Sequence, residues 1–211
     1  MMKKKLLIVT STRADYGLLK PIIIEAINNT SLMTQVMVTG SHLEQDYGNT
    51  IDEINLDGIK NIEKVKLDLI KNECLPNTIA RCIVKFSESL KNLTPYITLV
   101  LGDRYEIFAF TIAAYTLNIP IAHIHGGETT LGALDEGFRH SITKMSSLHF
   151  PVTEQYRNNI IRMGEDPKTV FNFGAPAVDS INSVHKKNIH ELEVDLGIKL
   201  KSQKIAICTY H

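Results

Sequence analysis

Residues Lys5 to Gly17 read KLLIVTSTRADYG, and the fold turns on how this stretch is interpreted. Lys5 to Thr10 carries a continuous apolar run bounded by polar residues. That is the pattern of a parallel strand covered on both faces, not the alternation of a half-exposed one. A loop rich in Ser, Thr, Arg and Asp follows at once, and from Leu18 to Ile27 the apolar positions take helical spacing. Strand, polar loop and helix make the opening of a βαβ unit.

The same alternation continues outward. Strands are expected at Thr34–Thr39, Lys64–Leu69, Ile97–Leu101, Ile121–Ile124, Leu148–Val152, Val170–Phe173 and Ile205–Thr209. Helices are expected at Ile51–Asn55, at Asn77–Asn92 behind Pro76, and at Tyr105–Leu117. Further helices follow near Glu136–Ser146, Glu154–Met163 and Ala177–Val184. Strands alternating with helices imply an α/β chain with a doubly wound, mostly parallel sheet. In the helix FAFTIAAYTL the apolar positions are read as core ahead of interface. Ile142 to Met145, Met163 and the phenylalanines of FSES and FNFG are also read as core.

Composition narrows the classes of function. The chain has 211 residues, enough for a core that buries roughly 70% of the unfolded surface. Its 23 basic and 23 acidic side chains cancel, so it lacks the basic excess that phosphate contacts demand, and no nucleic-acid partner is expected. Three cysteines without metal-ligand spacing suit reduced thiols and a cytoplasmic protein. The lysines and apolar run at the start imitate a secretory signal, but the run is too short for one or for a membrane span. Residues 1–182 read as one Rossmann-like domain and 183–203, polar and charged, as a connecting segment. Residues 204–211 read as the first strand of something further, so a fragment of a longer protein is expected.

In open parallel sheets, ligands sit outside the carboxyl ends of the strands. The polar residues without a core role cluster there. No P-loop and no GxGxxG is present, but STRADYG occupies the equivalent place. Arg13 could grip a phosphate beside the helix N-terminus, or it is a solvated loop residue with Asp15 as the cap. Asp103 follows the strand Ile97–Leu101 and suits either catalysis or the capping of the next helix. Arg104 and Glu106 read as an ion pair.

HIHGGETTLGALDEGFRHSITK, His123 to Lys144, is the densest segment. His123 and His125 share a strand face, but a metal site needs a third or fourth ligand, and none is expected. Gly126-Gly127 permits a sharp turn or a close approach to a ligand, from which Glu128 projects. Asp135 and Glu136 precede Arg139 and His140, more acids than capping requires. Three carboxylates at separate strand ends suit acid/base work on both faces of a polar, uncharged carbon centre.

Taken in order, STRADYG, VTGSHL, LGDRYE, HIHGGETTLGALDEGFRHSITK and GAPAVDSI resemble the UDP-N-acetylglucosamine 2-epimerases. HGGE in place of HVEAG resembles the hydrolysing branch, which feeds sialic and related nonulosonic acid synthesis. The resemblance implies the N-terminal domain of a GT-B-type enzyme with its site between two Rossmann-like domains. CTYH would begin the second domain, and His211 would match an active-site histidine. It further implies that Arg13 contacts the diphosphate and that Gly40 and His42 line the cleft. Asp103, Glu128 and one of Asp135 or Glu136 become the acid/base carboxylates. Asp135 is favoured because the family's acid precedes the matching arginine, here Arg139, by four.

A UDP-sugar substrate, a homodimer and no cofactor are implied as well. The reaction would release UDP and N-acetylmannosamine through a 2-acetamidoglycal. The alternatives are the same chemistry on UDP-N,N′-diacetylbacillosamine toward legionaminic acid, a GT-B glycosyltransferase, and a binding-only domain.

Overall fold

The computed structural model describes residues 3–44, 50–183, 186–200 and 204–208. The apolar run at the start forms β1 (Lys4–Thr10). Leu7 and Val9 enter one core cluster and Ile8 the other, so a run without alternation is what burial on both faces requires. With it stand β2 (Leu32–Thr39), β3 (Ile62–Val65), β4 (Ile97–Leu101), β5 (Ile121–Ile124) and β6 (Leu148–Phe150). All pairings are parallel, and the order is β3-β2-β1-β4-β5-β6. This is the Rossmann-like, doubly wound sheet, with the winding reversed between β1 and β4.

The helices in chain order are α1 (Arg13–Asn28), α2 (Ile51–Leu56), α3 (Leu75–Leu93), α4 (Tyr105–Thr116), α5 (Leu134–Met145), α6 (Glu154–Arg162), α7 (Pro176–Ser183) and α8 (Ile189–Leu196). One cluster packs Leu7 and Val100 against Phe86 and Leu90 of α3 and Phe110 and Ala113 of α4. Phe86 and Phe110 meet edge to face at 5.5 Å. The other packs Ile8, Val36 and Leu99 against Leu19 and Ile23 of α1 and Ile54 of α2. Among the described residues no helix is long and apolar enough to cross a membrane. The chain divides into two compact units, Met1–Ser180 and Ile181–His211.

Several local expectations are corrected. The third strand runs Ile62–Val65 instead of Lys64–Leu69, because Ile62 and Glu63 already pair with β2 and Asp68 turns left-handed at φ 50°. Val170–Phe173 is not a strand: after one bridge to His149 the chain leaves the sheet. Phe171 and Phe173 are 38% and 82% exposed and stack with Phe150 outside the core, whereas Phe86 is buried. Within residues 183–203, a segment whose reading as a connector is unaffected, stands α8, begun by an Asn188–Glu191 capping box. Residues 204–208 carry no strand, and Thr209 lies outside the described residues.

Candidate active site

The carboxyl ends of β1, β4 and β5 carry the polar residues, as the sheet's geometry demands. At β1, Thr12 caps α1 and Asp15 completes a capping box from the third helical position, so Asp15 is not itself the N-cap. Its buried carboxylate accepts from the backbone N–H groups of Ser11, at 3.0 Å, and Thr12, at 3.1 Å, and from the hydroxyls of Thr10 and Ser11. Those two loop amides are therefore already engaged. Arg13 is exposed and pairs with Glu53 at 3.0 Å.

Behind this loop, His42 is fully enclosed. Its Nε2–H donates to Thr10 Oγ1 at 2.9 Å, and Nδ1 accepts from Thr50 Oγ1 at 2.6 Å. Burial holds this imidazole below its ordinary pKa against the pull of Asp15. Gly40 has φ +57°, and a β-carbon there would stand 2.7 Å from the Ser11 carbonyl oxygen. No other residue fits at that approach of β2 to the loop.

At β4, Asp103 is not a cap: Arg104 occupies that position without a side-chain cap bond. The Asp103 carboxylate pairs with Arg139 of α5 instead. Arg139 also donates through Nη1 to the Glu128 carbonyl and to Thr130 Oγ1, both at 3.1 Å, and its side chain is 8% exposed. Its contacts are with protein acceptors on both sides. Arg104 and Glu106 form the expected ion pair at 3.2 Å, with Glu106 buried.

His123 links the two flanks. Its Nε2–H donates to the Gly102 carbonyl at 2.9 Å, and Nδ1 faces Thr143 Oγ1 at 3.2 Å, one turn beyond Arg139 on α5. Complete burial pushes its pKa down to about 3, which keeps the ring neutral. The rings of His123 and His125 part company, because His125 lies beyond β5 with φ +66°. Its Nδ1 stands 2.5 Å from Glu128 Oε1. Among the described residues no group of three or more His, Cys, Asp or Glu side chains is arranged to hold a metal.

The intervening glycines are dictated by packing. A β-carbon on Gly126 would stand 2.9 Å from Thr143 Oγ1, and one on Gly127 would stand 2.5 Å from the Tyr156 carbonyl. Glu136 accepts from the Thr130 amide at 3.0 Å and lies 3.5 Å from His140 Nε2. Asp135 is exposed on the first turn of α5, and Ala133, not Asp135, is the N-cap. Asp103, Glu128, Glu136 and Arg139 are thus joined by one hydrogen-bonded loop, with Asp135 beside it. His211 lies outside the described residues. The sequence alone marks His123 and His125 only as a possible metal pair. A ring-bearing residue immediately before Gly-Gly was the signal available for His125.

Comparison with known proteins adds to this geometry. Residues 25–211 match the family model described as UDP-N-acetylglucosamine 2-epimerase. The chain is 39% identical to the polysialic acid biosynthesis protein P7 of Escherichia coli, over 97% of this chain and 53% of that protein. It is 38% identical to the hydrolysing UDP-N,N′-diacetylbacillosamine 2-epimerase of Legionella pneumophila, over 100% of this chain and 56% of that one. The crystal structure of the Neisseria meningitidis UDP-GlcNAc 2-epimerase bound to UDP-GlcNAc superposes with a TM-score of 0.76 at 25% identity. That match covers 84% of this chain and 48% of the other. The chain spans about half the length of these relatives.

Proposed function

The chain belongs to the UDP-N-acetylglucosamine 2-epimerase family, and from that premise we propose that the protein is a hydrolysing 2-epimerase of a UDP-linked 2-acetamido sugar. The observation that carries the reading is that Arg139 joins the Asp103 carboxylate to the Glu128–Thr130 loop, which Glu136 braces through the Thr130 amide, with Asp135 beside Glu136 on the first turn of α5. The C2 proton of such a sugar adjoins no carbonyl and is barely acidic. Departure of UDP builds positive character at C1, and a carboxylate then removes the C2 proton to leave a 2-acetamidoglycal. Water adds at C1 while a second acid returns a proton to the opposite face of C2. Acids on two loops suit that division of labour.

In this reading Arg13, free at the mouth of α1 apart from Glu53, meets the diphosphate. Gly40 lets the loop approach closely, and His42 supports it from beneath. Arg139 holds Asp103 and the Glu128 carbonyl, while Asp135 supplies the third carboxylate and His211 a further active-site group. No cofactor is required.

UDP-N-acetylglucosamine, giving N-acetylmannosamine for sialic acid synthesis, is the first substrate reading. The 38% identity to the Legionella enzyme favours UDP-N,N′-diacetylbacillosamine, toward legionaminic acid, as the second. We also place the protein in the cytoplasm, where its three unpaired cysteines stay reduced. A homodimer through α3 and α5 is supported by an apolar groove of about 550 Å³ lined by Leu75, Ile79, Ile83, Leu134 and Phe138.

Phosphorus NMR of the intact protein with each UDP-sugar tests the reading. Free UDP from either supports it, and no release by a folded, UDP-binding protein overturns it.

A further inference from the structure

His125 has a conformation that chain geometry alone does not favour. Its φ of +66° lies in the left-handed region, which glycine occupies freely and which Asn, Asp and His enter more often than other side chains do. Gly126 and Gly127 next to it are glycines because of neighbouring atoms. His125 meets no such constraint, and it places an imidazole at a φ that most side chains avoid. What the turn achieves is a contact: Nδ1 comes within 2.5 Å of Glu128 Oε1, three residues on.

The two ends of this bond are not equivalent. Nδ1–H donates to the carboxylate, and Nε2 is buried with no hydrogen-bond partner among the described residues. On the glutamate, Oε1 is taken by the imidazole. Oε2 has no hydrogen-bond partner among the described residues, and the side chain is 25% exposed. The carboxylate is therefore held by one oxygen and open at the other. The Glu128 carbonyl is fixed separately by Arg139, so backbone and side chain are both anchored.

We propose that His125 is the positioning residue for Glu128: by holding Oε1 it makes Oε2 the oxygen that exchanges a proton with the sugar. This rests on the epimerase reading and on Glu128 as one of its carboxylates. In the elimination, Oε2 takes the C2 proton and the C2–H electron pair becomes the C1–C2 double bond. The bond from C1 to the diphosphate oxygen breaks, and its electron pair leaves with UDP. The imidazole gains no bond to the substrate.

His125→Asn and His125→Gly test this in the intact protein, since both residues adopt the left-handed backbone at lower cost. Partners that orient the ligands of a metal site typically carry about 10- to 100-fold of affinity or activity, and a fall of similar size in kcat with KM little changed is expected here. The melting temperature is expected to hold. Because His125 acts through Glu128, the double variant His125→Asn with Glu128→Gln is expected to be no slower than Glu128→Gln alone. Wild-type kcat in His125→Asn, or losses that multiply in the double variant, would overturn the proposal. In the unliganded protein, a downfield imidazole N–H proton resonance is expected, lost in Glu128→Gln and in His125→Asn. This readout does not depend on turnover. If the resonance is present but no UDP-sugar reacts, the epimerase reading has failed, and the catalytic role with it. If sugars react but the resonance is missing, the positioning role alone has failed.

Discussion

Asp103 and Arg139 are ion-paired across 36 positions of sequence, and the pair joins the carboxyl end of β4 to α5. Only 20% and 8% of the two side chains is exposed. Removing one partner of such a pair strands the other in a poorly solvated place. Asp103→Ala is expected to cost about 3–5 kcal/mol of unfolding free energy in urea. A loss below about 1 kcal/mol, the size usual for exposed pairs, would contradict the enclosed geometry. Glu53→Gln, which breaks the exposed pair with Arg13, serves as the contrast.

Two glycines give opposite expectations. Gly127→Ala places a β-carbon 2.5 Å from the Tyr156 carbonyl at φ +77°, so it should destabilise the protein and disturb Glu128. Gly137, exposed on α5, has open space around it, and Gly137→Ala should stabilise by about 0.5–1 kcal/mol through helix propensity alone. Thermal melts of the two variants should move in opposite directions.

His123, His42 and His149 are all held below their ordinary pKa by burial. The unfolded chain therefore binds more protons than the folded one as pH falls below about 6.5. The stability these neutral rings contribute is complete above that pH and is lost toward acid, for His123 down to about pH 3. Each ring adds a slope of up to about 1.4 kcal/mol per pH unit. His123→Gln should flatten the dependence of unfolding free energy on pH between about 6 and 4 by roughly one such increment. An unchanged slope would mean the ring is protonated in the fold.

The third carboxylate can be assigned by a matched pair. Glu136 braces the loop by accepting from the Thr130 amide, whereas the exposed Asp135 side chain has no partner among the described residues. Asp135→Asn should lower turnover with no change in melting temperature, and Glu136→Gln should lower melting temperature first. The reverse pattern would give the catalytic role to Glu136.

Legibility in the sequence followed the range of the interactions involved. Ile97–Leu101 was readable because burial on both faces leaves an uninterrupted apolar run, and the acids after it were readable as strand-end residues. Val170–Phe173 misled because β-branched and aromatic residues fit a strand equally well when they only stack, as Phe171 and Phe173 do with Phe150. The capping alternatives for Asp103 and Asp135 were reasonable locally. They fail because Arg104 and Ala133 hold the cap positions. The contacts of Arg139 and the left-handed turn at His125 depend on which loops the sheet order brings together, and no local pattern encodes that order.

In the proposed reaction a proton is exchanged at C2 as UDP is released. The most direct measurement is proton and phosphorus NMR of the intact protein in D₂O with UDP-N-acetylglucosamine and, separately, with its diacetamido counterpart. Free UDP together with a free sugar epimerised and deuterated at C2 is the predicted result. UDP released with the C2 proton retained, or no release from a folded protein that binds UDP, would contradict it.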